Sequence, residues 1–287
     1  MPVNFIHLTD LHIGNPDIYD EYLHTDTDAT LQTILGQIQN MKPTPEFIVV
    51  SGDLTNRGDD VSYQRLRYFF ASYDLPMPVY FALGNHDKRD GFYKAMLDRE
   101  NNLEQPYYYD VVQSGIHLIV LDSSVPGKIG GALEPEQFEW LQIRLDAHAH
   151  LPKLIMVHHA PALDEDCKDN EWESLTIEDT KRLKTMLQGY NIAGILSGHI
   201  HYDRVSTWYN IPIVVGIGMH TALDPTYIHY GLRGVTGASY SLCCLRNSGL
   251  TVSFVPLPSE RKELDTISHE DRIVAFQKYE ERIQKGC

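Results

Sequence analysis

Short unbroken apolar runs alternate along this chain with longer stretches in which apolar residues return every third or fourth position. The first pattern predicts buried strands and the second amphipathic helices. Residues 3–9 read as a buried strand. Over 28–41 the apolar positions Leu31, Ile34, Leu35, Ile38 and Met41 predict a helix, with Asp26 or Thr27 available as N-cap and Pro43 and Pro45 ending it. Residues 47–50 are a second strand, 61–73 a helix and 79–83 a third strand. Residues 107–112 and 116–121 predict a hairpin turned near Gly115. Helix follows over 134–149, strand over 154–157, helix over 176–187 and strand over 192–196. Beyond His201 the pattern is of strands at 203–208, 211–217, 239–246 and 250–256, which points to a second sheet packed on the first. Residues 258–287 are charged, with a helix expected over 270–284. That segment reads as a surface helix or frayed tail, or else as a dimer contact.

The polar residues are as patterned as the apolar ones. Asp10-Leu11-His12, Gly52-Asp53, Gly84-Asn85-His86-Asp87, His158-His159 and Gly198-His199-Ile200-His201 each follow an apolar run. Every cluster therefore stands at the carboxyl end of a predicted strand, where the loops of layered α/β folds converge on ligands. Asp, His and Asn without thiolate suit divalent Mn, Fe, Co or Zn. Two such ions side by side activate water near neutral pH and neutralise a phosphate. The alternate spacing of Asp10 and His12, and of His199 and His201, would put both side chains of each pair on one side of an extended segment. His148 and His150 share that spacing but stand at a predicted helix end with no motif around them, and are not expected to be ligands.

The order D-x-H, G-D, G-N-H-D, H-H-x-P, G-H-x-H resembles the calcineurin-like metallophosphoesterase superfamily over roughly the first 200 residues. Smaller echoes resemble its class III cyclic-nucleotide phosphodiesterases, a group that also acts on glycerophosphodiesters. They are Asp26-Thr27-Asp28, Gly52-Asp53-Leu54-Thr55 followed by Tyr63, and Asp122-Ser123-Ser124 with Gly131-Ala132-Leu133, Gln137 and Trp140-Leu141. The resemblance implies a four-layer α/β/β/α sandwich of two mixed sheets flanked by helices. The catalytic domain would cover 1–257 and the charged tail 258–287, with a dimetal site at the carboxyl ends of the strands.

The same resemblance implies two divalent ions per chain. Asp10, His12 and His201 would hold one, Asn85, His158 and His199 the other, with Asp53 bridging ions about 3.5–4 Å apart. It places the ligand at His158, the first of two histidines before Pro161, and leaves His159 a supporting or substrate-side place. His12, Asp53, Asn85, His86 and His201 would meet the phosphate. His86 would not bind metal. At the pocket edge it would protonate the leaving oxygen or stabilise transition-state charge. Asp87 would orient its ring, cap the following turn, or do both.

Pocket walls are expected from 13–25 and from 219–238. The second loop carries Met219, His220, Tyr227, His229, Tyr230 and Arg233, which either stack on a base and pair with phosphate or form a plain connector. Arg89 reads as a partner of Asp90 rather than of phosphate, and Tyr63 as packing.

Charge narrows the partners. Asp and Glu number 39 against 24 Lys and Arg, a formal charge of −15. A nucleic-acid polymer is not expected, since binding one usually needs a basic surface. A small anion is different, because two cations would set the local field. The 43% hydrophobic content is ample for a core in 287 residues. No apolar run approaches the roughly 18 residues of a membrane span. With no leader pattern at residues 1–8 and no C-x-x-C pair among Cys167, Cys243, Cys244 and Cys287, the expectation is a cytoplasmic protein with free thiols and no zinc–thiolate site.

The expected partner is a small phosphodiester, with no membrane; a homodimer is common in the resembled family. The leading expectation is a binuclear metal phosphodiesterase acting on 3′,5′-cyclic nucleotides such as cyclic AMP. A glycerophosphodiesterase or phosphomonoesterase would use the same motifs. A non-catalytic interaction module, like the superfamily's retromer subunit, is disfavoured because every ligand position is filled.

Overall fold

The computed structural model describes residues 2–284, so the thiol expected at Cys287 lies outside the described residues. The chain opens with β1 (Val3–Leu8), α1 (Thr27–Gln39), β2 (Ile48–Ser51), α2 (Asp60–Ala71), β3 (Val79–Ala82) and α3 (Arg89–Leu97). It continues with β4 (Tyr109–Gln113), β5 (Ile116–Val120), α4 (Pro135–Asp146), β6 (Lys153–Met156), α5 (Ile177–Leu187), β7 (Ile192–Ser197), β8 (Arg204–Trp208) and β9 (Ile211–Val215). The last stretch holds β10 (Ala222–Leu223), β11 (Gly231–Val235), β12 (Ser239–Arg246), β13 (Gly249–Pro256), β14 (Glu263–Ser268) and α6 (His269–Gln284). Asp26 is the N-cap of α1, its carboxylate accepting from the Ala29 amide at 2.9 Å.

Two mixed sheets carry the fold. One has the order β13-β12-β1-β2-β3 and the other β4-β5-β6-β7-β9-β8. Side chains alternate across β1, so Ile6 and Leu8 meet α1 and α2 while Phe5 faces the other sheet. Three buried clusters result. One lies under α1 and α2, one under α4 and α5, and one between the sheets, where Phe5, Phe47 and Val49 meet Leu118, Leu154 and Met156. Three apolar interfaces are what four layers require, so the α/β/β/α sandwich holds.

The division between sheets differs from expectation. β8 and β9 extend the sheet of β5–β7, whereas β12 returns to pair antiparallel with β1. The second sheet thus begins at β4, well before His201. A third sheet, β10-β11-β14, was not expected: Gly231–Val235 includes two glycines and β14 has no alternation of apolar residues. Cys167, Cys243 and Cys244 are free thiols. Among the described residues, no helix is long and apolar enough to cross a membrane.

Candidate metal centre

The parallel strands β1, β2 and β3 of one sheet and β6 and β7 of the other end at the same rim. Backbone pairing continues past the strands: the Asp10 amide donates to Gly52 O, His12 to Asp53 O, and Gly198 to His158 O, each at 3.0 Å. This stitching brings the five polar clusters together. At five of the seven candidate ligand residues the chain does not stay extended, contrary to expectation. Asp10 (φ 49°), His12 (47°), Asp53 (48°), His199 (75°) and His201 (48°) all adopt left-handed backbone. Such conformations cost about 1–3 kcal/mol each and persist where surroundings impose them. Gly52 also needs its residue type: φ is 105°, and a Cβ there would lie 2.5 Å from His158 Nδ1.

Each candidate imidazole ligand is aimed by a partner. His158 Nδ1 faces Ser51 O at 2.9 Å, and His201 Nδ1 faces Thr221 O at 2.6 Å. A carbonyl oxygen only accepts, so Nδ1 donates in both, and in the neutral ring Nε2 keeps the lone pair. His12 Nδ1 faces Asn56 Oδ1 at 3.0 Å. That amide's orientation is set by its NH2, which donates to Asp20 Oδ2 at 2.7 Å. His199 Nε2 donates to Trp172 O at 2.7 Å, which leaves Nδ1.

The acceptors then face one another. His158 Nε2 lies 3.2 Å from Asp53 Oδ2 and 3.2 Å from Asn85 Oδ1, and His201 Nε2 lies 3.2 Å from Asp10 Oδ1. His12 Nε2 lies 3.7 Å from Asp53 Oδ2, is buried, and has no hydrogen-bond partner. Lone pairs aimed at carboxylates at such distances call for positive charge between them. The protonation tendencies of the Asp53–His158 pair say the same. Burial acts to raise the Asp53 carboxyl, but His158 and then His86 outweigh it and hold it well below the usual range. Burial acts to lower His158, but Asp53 outweighs it and raises the ring to about 9. His12 is driven well below the usual range by burial, then by His86 and His220. Facing oxygens and imidazoles fit divalent cations. The candidate ligand atoms of Asp10, His12 and His201 lie within 4.8 Å of one another, as do those of Asp10, Asp53 and His158.

Several expected roles change. Asp87 does not touch the His86 ring. Its carboxylate accepts from the Leu54, Thr55 and Gly84 amides and from Tyr63 Oη at 2.8 Å, so it ties β2's loop to β3's loop. Burial, with Asp53 nearby, pushes it up to about 6. His86 instead donates through Nδ1 to Asn56 O at 3.0 Å and meets Tyr279 of α6. His159 has both ring nitrogens engaged, by Ser123 Oγ (2.8 Å) and Ile129 O (2.9 Å), which excludes the substrate-side place. Arg89 pairs with Asp122 at 3.0 Å, not with Asp90, which takes Lys94 instead. Neighbours in a helix do not face each other, whereas residues four apart do. Arg233 is paired with Asp224 and lies over Tyr227, so of the six residues singled out in that loop it is His220 that borders the site.

The sequence pattern of calcineurin-like phosphoesterases matches residues 3–203. The chain belongs to that family. Calcineurin-like phosphoesterases are dimetal-dependent, and both predicted ligand clusters lie inside the matched span. Among relatives, the chain is similar to a probable cyclic nucleotide phosphodiesterase of Rhodococcus erythropolis, 30% identical over 88% of this chain and 83% of that one. It is also similar to a probable glycerophosphodiester phosphodiesterase of Arcobacter nitrofigilis, 25% identical over 77% and 78%. Its fold is like that of a purple acid phosphatase from yellow lupin seeds, with a TM-score of 0.60 and 14% identity. That match covers 95% of this chain and only 55% of the other.

A cavity of about 550 Å³ opens over this calcineurin-like centre. Its floor is His12, Asp53, Asn85, His86, His199 and His201. Tyr22 and His24 of the first expected loop form one wall. The opposite wall is apolar: Trp172, Leu223, Leu232, Ile267 and Phe276. Residues of β14 and α6 were missed in the sequence, where no motif marks them.

Proposed function

We propose that this family member is a binuclear metal phosphodiesterase that converts 3′,5′-cyclic nucleotides, cyclic AMP among them, to 5′-monophosphates. The observation that carries the reading is a floor of inward-facing imidazole nitrogens and carboxylates under a half-apolar cavity. Asp10, His12 and His201 would hold one ion and Asn85, His158 and His199 the other, with Asp53 shared; Mn, Fe, Zn or Co would be accepted. When bound, the two ions supply an activated water and neutralise phosphate charge. His12, Asp53, Asn85, His86 and His201 border the place where the phosphate sits. His86, outside both ligand sets, gives its proton to the 3′ oxygen as the P–O bond breaks. The apolar wall takes the part of the substrate beyond the phosphate, and the expected base selectivity is modest.

Incubation of the metal-loaded protein with cyclic AMP should yield 5′-AMP by product analysis, with looser action on other diesters. Cleavage of glycerophosphocholine with cyclic AMP untouched would replace this substrate by a glycerophosphodiester.

Asn56 gives a second test. It is 7% exposed, and its side chain joins His12 to Asp20. Asn56→Ala keeps the backbone carbonyl that His86 uses but frees the His12 ring. Metal affinity should weaken about 10- to 100-fold, as for other partners that orient ligands. Calorimetric titration of metal into stripped protein measures this. Unaltered affinity would show that His12 needs no such support.

A further inference from the structure

Helix α6 crosses the mouth of the cavity, and its contacts fall around the rim. Phe276 packs on Trp172 with ring centroids 5.0 Å apart, and the Trp172 carbonyl is the one that holds His199. Glu280 accepts from the Ile129 amide and from Lys128 Nζ, each at 3.3 Å. Arg282 lies over Tyr22, 4.3 Å from its centroid. Between these anchors Tyr279 points at the floor. Its Oη lies 3.1 Å from both Nδ1 and Nε2 of His86.

Contact with both nitrogens at one distance puts the hydroxyl over the ring rather than in line with either nitrogen. The Nδ1 direction is already taken by Asn56 O. The ring lines the cavity, and Nε2 is met by the Tyr279 hydroxyl. On another side the His12 ring meets His86 edge-on, with centroids 4.6 Å apart. The imidazole is therefore held by a carbonyl at one end, a ring at one flank and a phenol hydroxyl from the far end of the chain. Side chains that must deliver a proton gain rate from being fixed in the productive orientation.

We propose that Tyr279 is a positioning residue of the active site, holding the His86 imidazole so that Nε2 meets the leaving oxygen of the diester. This rests on the phosphodiesterase reading and on the role of His86 in it. The proton still travels from His86 to the leaving oxygen; Tyr279 exchanges none.

The test uses Tyr279→Phe and Tyr279→Leu in the full chain, with cyclic AMP and bis(p-nitrophenyl) phosphate as substrates. For Tyr279→Phe, kcat on cyclic AMP should fall about 3- to 10-fold as the ring loses its hydroxyl contact. KM should stay within about twofold. On bis(p-nitrophenyl) phosphate, whose leaving group needs little protonation, kcat should also stay within about twofold. Bound metal, measured by elemental analysis, should not change. Tyr279→Leu should lose at least as much on cyclic AMP. Wild-type kcat in both variants, equal losses on both substrates, or loss of metal would overturn the proposal. So would a rise in kcat, which would show that the helix obstructs the site. If the wild-type protein cleaves no diester with any metal, the phosphodiesterase reading falls first and this one with it. If it cleaves glycerophosphocholine instead of cyclic AMP, the same comparison on that substrate decides the matter.

Discussion

Asp53→Ala is expected to lose both ions and nearly all hydrolysis. The carboxylate works from both oxygens: Oδ1 accepts the His86 amide at 2.9 Å, and Oδ2 faces Nε2 of His158 and of His12. Its removal leaves two imidazoles with no charge to share and a centre without its common ligand. Water activation and charge neutralisation both depend on that centre, so turnover should fall on the order of 10³-fold or more. The measurements are bound metal by elemental analysis and turnover of cyclic AMP, with circular dichroism to show that the variant is folded. Near-normal activity would sink the two-metal reading.

The second large effect is expected from His86→Ala, and it should look different. The backbone amide that bonds Asp53 survives the substitution, so both ions should be retained. Turnover on cyclic AMP should drop about 10²–10⁴-fold, the usual contribution of a placed general acid. The loss should be much smaller with p-nitrophenolate as leaving group. Equal losses on good and poor leaving groups would assign His86 to charge stabilisation alone. Together the two variants separate what the metal centre does from what the imidazole does.

The strands and the floor of the site were legible because each rests on a local rule. Apolar runs are short, and the polar residues at their ends lie within a few positions of the run, as in Val79–Ala82 followed by Asn85. What was not legible depends on long-range partners. Nothing in Asn56 distinguishes it from an ordinary loop residue until Asp20 and His12 are brought beside it. Next to His86 in sequence, Asp87 reads as an orienting group, a turn cap or both, but its oxygens are claimed by amides of the loop after β2. The smaller echoes proved to be supports. Asp122 anchors Arg89, Gln137 bonds the Asp122 backbone, and Ser123 holds His159. They stiffen the rim from behind and carry no direct information about the substrate.

Helix α6 shows the limit most clearly. Its span was expected over 270–284 and found at His269–Gln284. Its placement was not, because amphipathic spacing says that a face is covered and not by what. The cover is the cavity rim, through Phe276 and Tyr279. The tail's place at the cavity rim therefore has no signature in the sequence.

The pairing of β1 with β12 bears on how the chain is made. On a ribosome, Asp10, His12, Asp53 and Asn85 emerge early, on three adjacent parallel strands. Yet one edge of β1 is open until residues 239–246 are synthesised. An unpaired strand edge attracts other chains, and contacts between distant segments form slowly. The nascent chain must thus carry all seven candidate ligands, with an exposed edge beside the first of them, until most of its length has been added. A release before residue 246 would yield a fragment that holds Asp10 and Asp53 without the strand that secures them, open to the wrong ion and to the wrong neighbour.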